Sequence, residues 1–565
     1  MPKRPLDDAV ARQLPSKRRR DLETSPLDRL SLLSDELLLQ ILSFLPISSL
    51  NVCQRLSRRF HRLAGDSELW KRQYYVQWVR PRARRLANVT RASLPSKAPP
   101  NKSEYSPRVS TWLDHSHLAE DGRTTNWKGQ YRLRHNWSTG VCRVTEVHFT
   151  ESQTPPILVK LCAGVVFTAD TEHGLRAWAA KDPAHCFAEM SLSNSITKTS
   201  IVPTALAVSR SIDEHEVVIG FKDGHVRRYA FDDQNSRLRL VSSHTELTHG
   251  AITAMALSFP YLMIVSQNES LSLYNLRELS HTSVLSGQAI PPRKLASLNA
   301  ANMVAPMTLS LRKSGVRVVA TIVYSFFHIS CGWSLGIQEL RFDRNGQQVE
   351  SRLTSTVDSQ HETLSRRDRP GPRDRRHSTE HEASEGRAML DPSEPTIVHS
   401  HPPTSISYSH PYLLTSHKDN TLTMYLVVSD NHRLFVRGGQ RLWGHTSSVS
   451  AVQVTNRGKA ISVSGRGDEV RVWELEPAVR SIGSRPLLHD ENSIKVHPEH
   501  SDRAESDADS APGGLDRDNR HAGRDTQPTG ELSMIHDCVG FDEERVLLLR
   551  EKTVGTQLLE CYDFT

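Results

Sequence analysis

The sequence predicts a two-part fold: a small all-α module of three short helices, then an all-β seven-bladed propeller, with a disordered tail, a linker and two inserts around them. Three observations predict it. Residues 27–79 carry apolar side chains at three- and four-residue steps. From about residue 138 the pattern shortens to alternating strands broken at Gly, Asp and Asn. One strand–turn–strand unit then recurs seven times, the mark of a ring of repeats.

In the helical part, SDELLLQILSFLP places Leu37, Leu38, Ile41, Leu42 and Leu45 on one side of a helix. Ser34 suits the N-cap, Asp35 and Glu36 the positive helix start, and Pro46 ends the run. A second helix is predicted through Val52, Cys53, Leu56, Phe60 and Leu63 to Gly65, and a third, capped by Asp66 or Ser67, carries Leu69 and Trp70. Three short helices make a core that is marginal alone, so their apolar surplus calls for a partner.

In the β part the units close on Trp178, Tyr229, Tyr274, Leu340, Tyr425, Trp473 and Tyr562. Trp178 to Tyr229 is 51 residues, Tyr229 to Tyr274 is 45 and Tyr425 to Trp473 is 48. These steps match the ~40–50 residues of a blade. The steps from Leu340 to Tyr425 (85) and from Trp473 to Tyr562 (89) are too long. Both contain charged tracts without apolar period, read as inserts at about 345–393 and 480–530. The fourth unit, SCGWSLGIQEL, has the least legible boundaries. Residues 138–150 form a lone strand pattern, expected to supply the outer strand of the last blade and so close the ring.

Residues 1–26 read as a disordered basic tail and 80–137 as a linker, leaving 27–79 as the helical domain and 138–565 as the propeller. Lys3 and Arg4, then Lys17, Arg18, Arg19 and Arg20 after twelve residues, resemble a bipartite nuclear localisation signal, which implies a nuclear and cytoplasmic protein. The net charge of +7 comes from 71 basic and 64 acidic residues, with few aromatics among the basic clusters, so nucleic-acid binding is not predicted. The seven cysteines are scattered and read as reduced thiols of an intracellular protein. The longest apolar stretch, Val318 to Trp333, contains Ser325, His328 and Ser330 and is shorter than a membrane helix needs, so it reads as two adjacent strands. No phosphate-cradling loop or H-E-x-x-H occurs, and the histidines at 399, 401, 410 and 417 lack a ligand set. No catalysis, metal or cofactor is expected.

Residues 32–72, with LLSDELLLQILSFLPISSL and then LAGDSELW, resemble an F-box, departing at Leu33-Ser34 where the motif usually has Leu-Pro. The resemblance implies docking on a Skp-type adaptor, and through it a cullin ubiquitin ligase, by Leu33, Glu36, Leu37, Ile41, Leu45, Leu50 and Trp70. The β units resemble WD repeats, best in the sixth, from Gly444-His445 to Trp473. That family implies a buried relay of His, Ser/Thr, Asp and Trp. Asp223 and Asp419 lie six residues before their closing tyrosines, where the relay Asp belongs, whereas the sixth unit has Gly467 there and Asp468 one step late. The resemblance also implies a binding face built from the turn residues just before that position: Thr171, Lys222, Gln267, Trp333, Lys418 and Arg466. Its cations suit an acidic or phosphorylated protein partner. Together these readings describe the substrate-recognition subunit of a Skp–cullin–F-box ligase, with a nuclear scaffold outside the ligase as the alternative.

Overall fold

The computed structural model describes residues 29–80, 120–148, 157–193, 201–276, 292–358, 397–476, 493–498 and 532–565, apart from a few short stretches within them. The basic tail, most of the linker and the central parts of both inserts lie outside the described residues. The chain divides into two compact units. One holds the described residues up to 80 and those from 120 to Tyr131; the other runs from Arg132 to Thr565.

The first unit is helical: α1 (Asp35–Leu42), α2 (Ile47–Cys53), α3 (Arg58–Ala64) and α4 (Ser67–Tyr74), the last running on into a π-turn over Tyr75–Val79. Ser34 caps α1 by accepting the Leu37 N–H, and Asp66 caps α4 by accepting that of Glu68. The predicted second helix is two helices. The chain turns at Gln54–Leu56, and Ser57 starts α3 by accepting the Phe60 N–H. A hydroxyl cap can restart a helix wherever a turn intervenes, and the apolar steps run through the break unchanged. Leu38, Leu42, Leu50, Leu63, Ala64 and Leu69 form the core.

Residues 80–137, read as a linker, contain most of a further helix, α5 (Trp127–Thr139). Its first residues belong to the helical unit, where Trp127 meets Tyr74 at 5.6 Å and Tyr131 meets Trp70 at 5.5 Å between ring centroids. Its later residues belong to the β unit, where Trp137 stacks on Phe564 at 3.8 Å.

The second unit is a ring of seven sheets, antiparallel but for one short parallel pair in blade seven. Blade one is Leu158–Cys162, Val165–Ala169, Leu175–Ala179 and Asp182–Met190, and blade two spans 203–244 in the same order. Blade three covers 252–299, blade four 304–355, blade five 405–442 and blade six 449–495. Blade seven takes three strands from 532–563, and Val141–His148 pairs antiparallel with Gln557–Asp563 as its fourth strand, the closure expected from the sequence, with His497–Pro498 parallel beyond it. First strands of successive blades pack side by side all the way round, including blade seven against blade one. The core is correspondingly seven apolar wedges, one between each pair of neighbours. Every closing residue named above lies on a third strand.

Three strands fall inside spans read as inserts, the shortest being His497–Pro498, which pairs parallel with Val141 and Cys142. Gln348–Ser355 is the outer strand of blade four, and Ser493–Lys495 that of blade six. Both are polar and half exposed, because an outer strand has only one neighbour to pack on, so they carry no apolar signature.

Candidate functional sites

The helical unit has two apolar surfaces, only one of which is satisfied. Along α1, Leu38 and Leu42 point into the core, while Leu37 and Ile41, and Phe44 just past the helix end, are 54%, 44% and 71% exposed. Val52 and Leu56, at the α2–α3 corner, are exposed as well. The scaffold beneath is pinned by charge. Asp35 receives Arg59 at 2.6 Å and Arg62 at 2.7 Å, and Arg59 also donates to the Leu33 carbonyl. The hydrogen bond from Arg59 holds the Asp35 carboxyl below its usual range.

Of the residues expected to dock a partner, Glu36, Leu37 and Ile41 are exposed, and Leu33 and Leu45 are half-buried against the core. Leu50 and Trp70 are core residues instead: Leu50 is fully buried, and the Trp70 indole donates to the Ala64 carbonyl at 2.9 Å. Their side chains hold the helices together. Phe44, Val52 and Leu56 are exposed apolar residues that the motif positions did not single out, as are Leu30, Leu32 and Val76. Phe44 is seven positions after Leu37, so the helical period alone could have found it.

On the ring, Thr171, Lys222, Gln267, Lys418 and Arg466 all lie in turns between second and third strands, and so on one rim. Trp333 is at the same rim but not in a turn: it is the second residue of the third strand of blade four. Lys222, Lys418 and Arg466 are exposed and have no ion-pair partner among the described residues. Gly224 and Asn420 take left-handed φ of 85° and 63°, which lets these two turns reverse tightly behind the lysines.

The relay differs from expectation in its carboxylates. Asp223 and Asp419 are exposed turn caps, accepting the His225 N–H at 3.1 Å and the Thr421 hydroxyl at 2.6 Å. In blade six the members of the relay come together. The Trp473 indole donates to the Ser462 hydroxyl at 2.7 Å, His445 Nε2 meets the same hydroxyl, and His445 Nδ1 faces the Glu469 carboxylate at 3.3 Å. Glu469 thus takes the role that Gly467 cannot fill, and Asp468 lies outside the described residues. Burial pushes its carboxyl up, but the Thr446 N–H and Arg471 outweigh that and hold it down at about 2. Blade one uses another buried acid, Asp170, which accepts two backbone N–H groups and pairs with Arg176 at 2.8 Å. These groups fix blades. Burial raises the Cys162 and Cys561 thiols to about 11 and about 12, far from nucleophilic.

The comparisons with known proteins follow the same division. Residues 35–75 match the F-box-like family, and residues 142–565 match the family described as the F-box protein pof12 beta-propeller. A curated relative, F-box protein pof12 of Schizosaccharomyces pombe (strain 972 / ATCC 24843), is 31% identical over 93 residues, which is 16% of this chain and 21% of that protein. Among solved structures, the crystal structure of RRP9 WD40 repeats overlaps 60% of this chain and 81% of that one, at 11% identity and a TM-score of 0.34, too low to bear on function. With its family match running through all seven blades and an F-box-like module ahead of them, the chain belongs to the pof12 family of F-box β-propeller proteins.

Proposed function

We propose that the chain is the substrate-recognition subunit of a Skp–cullin–F-box ubiquitin ligase, its helical unit docking a Skp-type adaptor and its propeller holding the protein to be ubiquitinated. One observation carries the reading: an F-box-like unit buries Leu38, Leu42 and Leu50 as its own core and still exposes Leu37 and Ile41 along α1 and Phe44 just past its end. An amphipathic helix with a second, unsatisfied stripe is a docking element. The chain then needs no catalytic group, since ubiquitin transfer uses a conjugating enzyme's cysteine. Lys222, Lys418 and Arg466 support a partner that is acidic or phosphorylated, bound less tightly as salt rises.

A tagged chain expressed with the adaptor and cullin tests this. Wild type should retain both, and Ile41→Asp should lose both, because burying an unpaired charge in the joint costs several times the ~0.8 kcal/mol of a methylene. A wild-type chain that never retains the adaptor ends the proposal. Nuclear as well as cytoplasmic residence is part of the same reading, resting on Lys3, Arg4 and the 17–20 cluster. Imaging a variant with Lys17, Arg18, Arg19 and Arg20 replaced by alanine should show it confined to the cytoplasm, and unchanged nuclear signal would refute that part.

A further inference from the structure

Blade four departs from its neighbours at one end. In blade five the rungs between second and third strands stop at Ser416↔Leu422, level with the first-strand pair Ser405↔Ser416. Blade two likewise ends flush, at Val226↔Gly220 against Pro203↔Phe221. In blade four, among the described residues, the first-strand pairs end at Val304↔Ser325 and the outer-strand pairs at Gly336↔Ser355, yet the middle hairpin continues through Phe326↔Ser334, Phe327↔Trp333 and His328↔Gly332. Three rungs overhang the sheet.

The overhang is apolar and built. Ile329 at its tip is 96% exposed and Phe327 61%, with the Phe327 and Trp333 rings edge-on at 5.9 Å. Its base is tied down: the Trp333 N–H donates to the His399 carbonyl at 2.9 Å. Gly332 has φ of 68°, and a Cβ there would lie 2.5 Å from that carbonyl, so only glycine allows the approach. The exposed Val398 sits beside Gly332, and the His399 ring stacks at 3.9 Å on His417, the residue before the unpaired Lys418. The ring needs none of these exposed side chains for its own packing, and solvated aromatic and aliphatic groups clustered on a rigid base mark a contact surface.

We propose that this hairpin, with Val398 and Lys418, is a docking site for a short segment of a partner protein that sets an apolar or aromatic anchor next to acidic residues. The reading deepens the receptor role proposed above. Anchor residues in such recognition are desolvated against aromatic side chains, while a flanking cation selects charge. The same rim exposes the carboxylates of Glu172, Asp223 and Asp419, so its field has mixed sign and disfavours a lipid surface, which calls for clustered cations.

Selection from a random peptide display library against the full-length chain tests the proposal. Wild type should enrich peptides in which Leu, Ile or an aromatic residue adjoins Asp or Glu. The selected peptide should bind Phe327→Ser/Ile329→Asp at least about tenfold more weakly. Lys418→Glu should keep the apolar preference and lose the acidic one. All three positions are solvent-facing, so melting should not change, and Ile329→Asp alone serves if the double variant misfolds. The same motif and affinity from the hairpin variants overturns the proposal. So does an absence of selected peptides, whether the chain instead sediments with phosphatidylserine vesicles, self-associates through the hairpin or does neither. Adaptor retention, measured on the same variants, should be unaffected; its absence in wild type would sink the ligase reading without touching the peptide result.

Discussion

Ser462 sits between His445 and Trp473, and this one hydroxyl ties the second strand of blade six to the third and to the segment entering the blade. Glu469 completes the set from below, with its carboxyl depressed to about 2. A carboxylate whose folded pKa lies below its unfolded value stabilises the fold above the unfolded value, near 4.5, and that contribution is lost as pH falls through about 2. Glu469→Gln should therefore be less stable than wild type at pH 7, by roughly 1–3 kcal/mol for a buried charged acceptor, and the gap should close as pH approaches 2. Urea unfolding across pH measures it, and a gap that stays constant with pH would refute the assignment. Counting six positions back from the closing residue reached Asp223 and Asp419, both solvent-facing. Burial separates a relay acid from a turn cap, and spacing does not encode burial. Glutamate also reaches the same histidine from a position closer to the tryptophan than aspartate would use.

At the scale of elements, α1 was legible as a helix from its cap, its acidic first turn and its apolar steps, and each of these is present. Its orientation was not. The five apolar residues assigned to one side are split, Leu38 and Leu42 inward and Leu37 and Ile41 outward, because the stripe is wider than the core formed by Leu50, Leu63 and Leu69 can cover. The two stripes should answer mutation oppositely. Leu38→Ala should cost about 2–5 kcal/mol of stability by opening a cavity. Ile41→Asp should change stability by less than about 1 kcal/mol, as solvent-facing substitutions do, while abolishing adaptor retention. Thermal melts and co-purification of the two variants check this; a large destabilisation by Ile41→Asp would mean that its stripe is core. The hairpin of blade four follows a similar logic. Val318 to Trp333 was readable as two strands, but an apolar run does not show where its neighbours stop, and that is what turns its end into an overhang.

For the whole molecule, seven blades were countable from their second and third strands, since the inner strands are buried on both faces and keep an apolar signature, whereas the outer strands escaped wherever they are polar. Closure was the long-range feature most exposed to error, because it pairs Val141–His148 with Gln557–Asp563 across more than four hundred residues of chain. The seam is reinforced beyond its ladder. Trp137 of α5 stacks on the fully buried Phe564, its indole donates to the Glu543 carbonyl at 2.8 Å, and Asn136 donates to the Phe564 carbonyl at 2.8 Å. Arg545 adds an ion pair to Asp563 at 3.2 Å. A ring held this way has no free edge at its join, so loosening the join should loosen the whole ring. Phe564→Ala should cost about 3–5 kcal/mol and, because neighbouring wedges share strands, should lower the midpoint of one urea transition rather than split it. Hydrogen exchange should then show the largest loss of protection in Val141–His148 and Gln557–Asp563. An unchanged midpoint with intact protection of both strands would mean that the ladder alone closes the ring and that the Trp137–Phe564 stack is incidental to it.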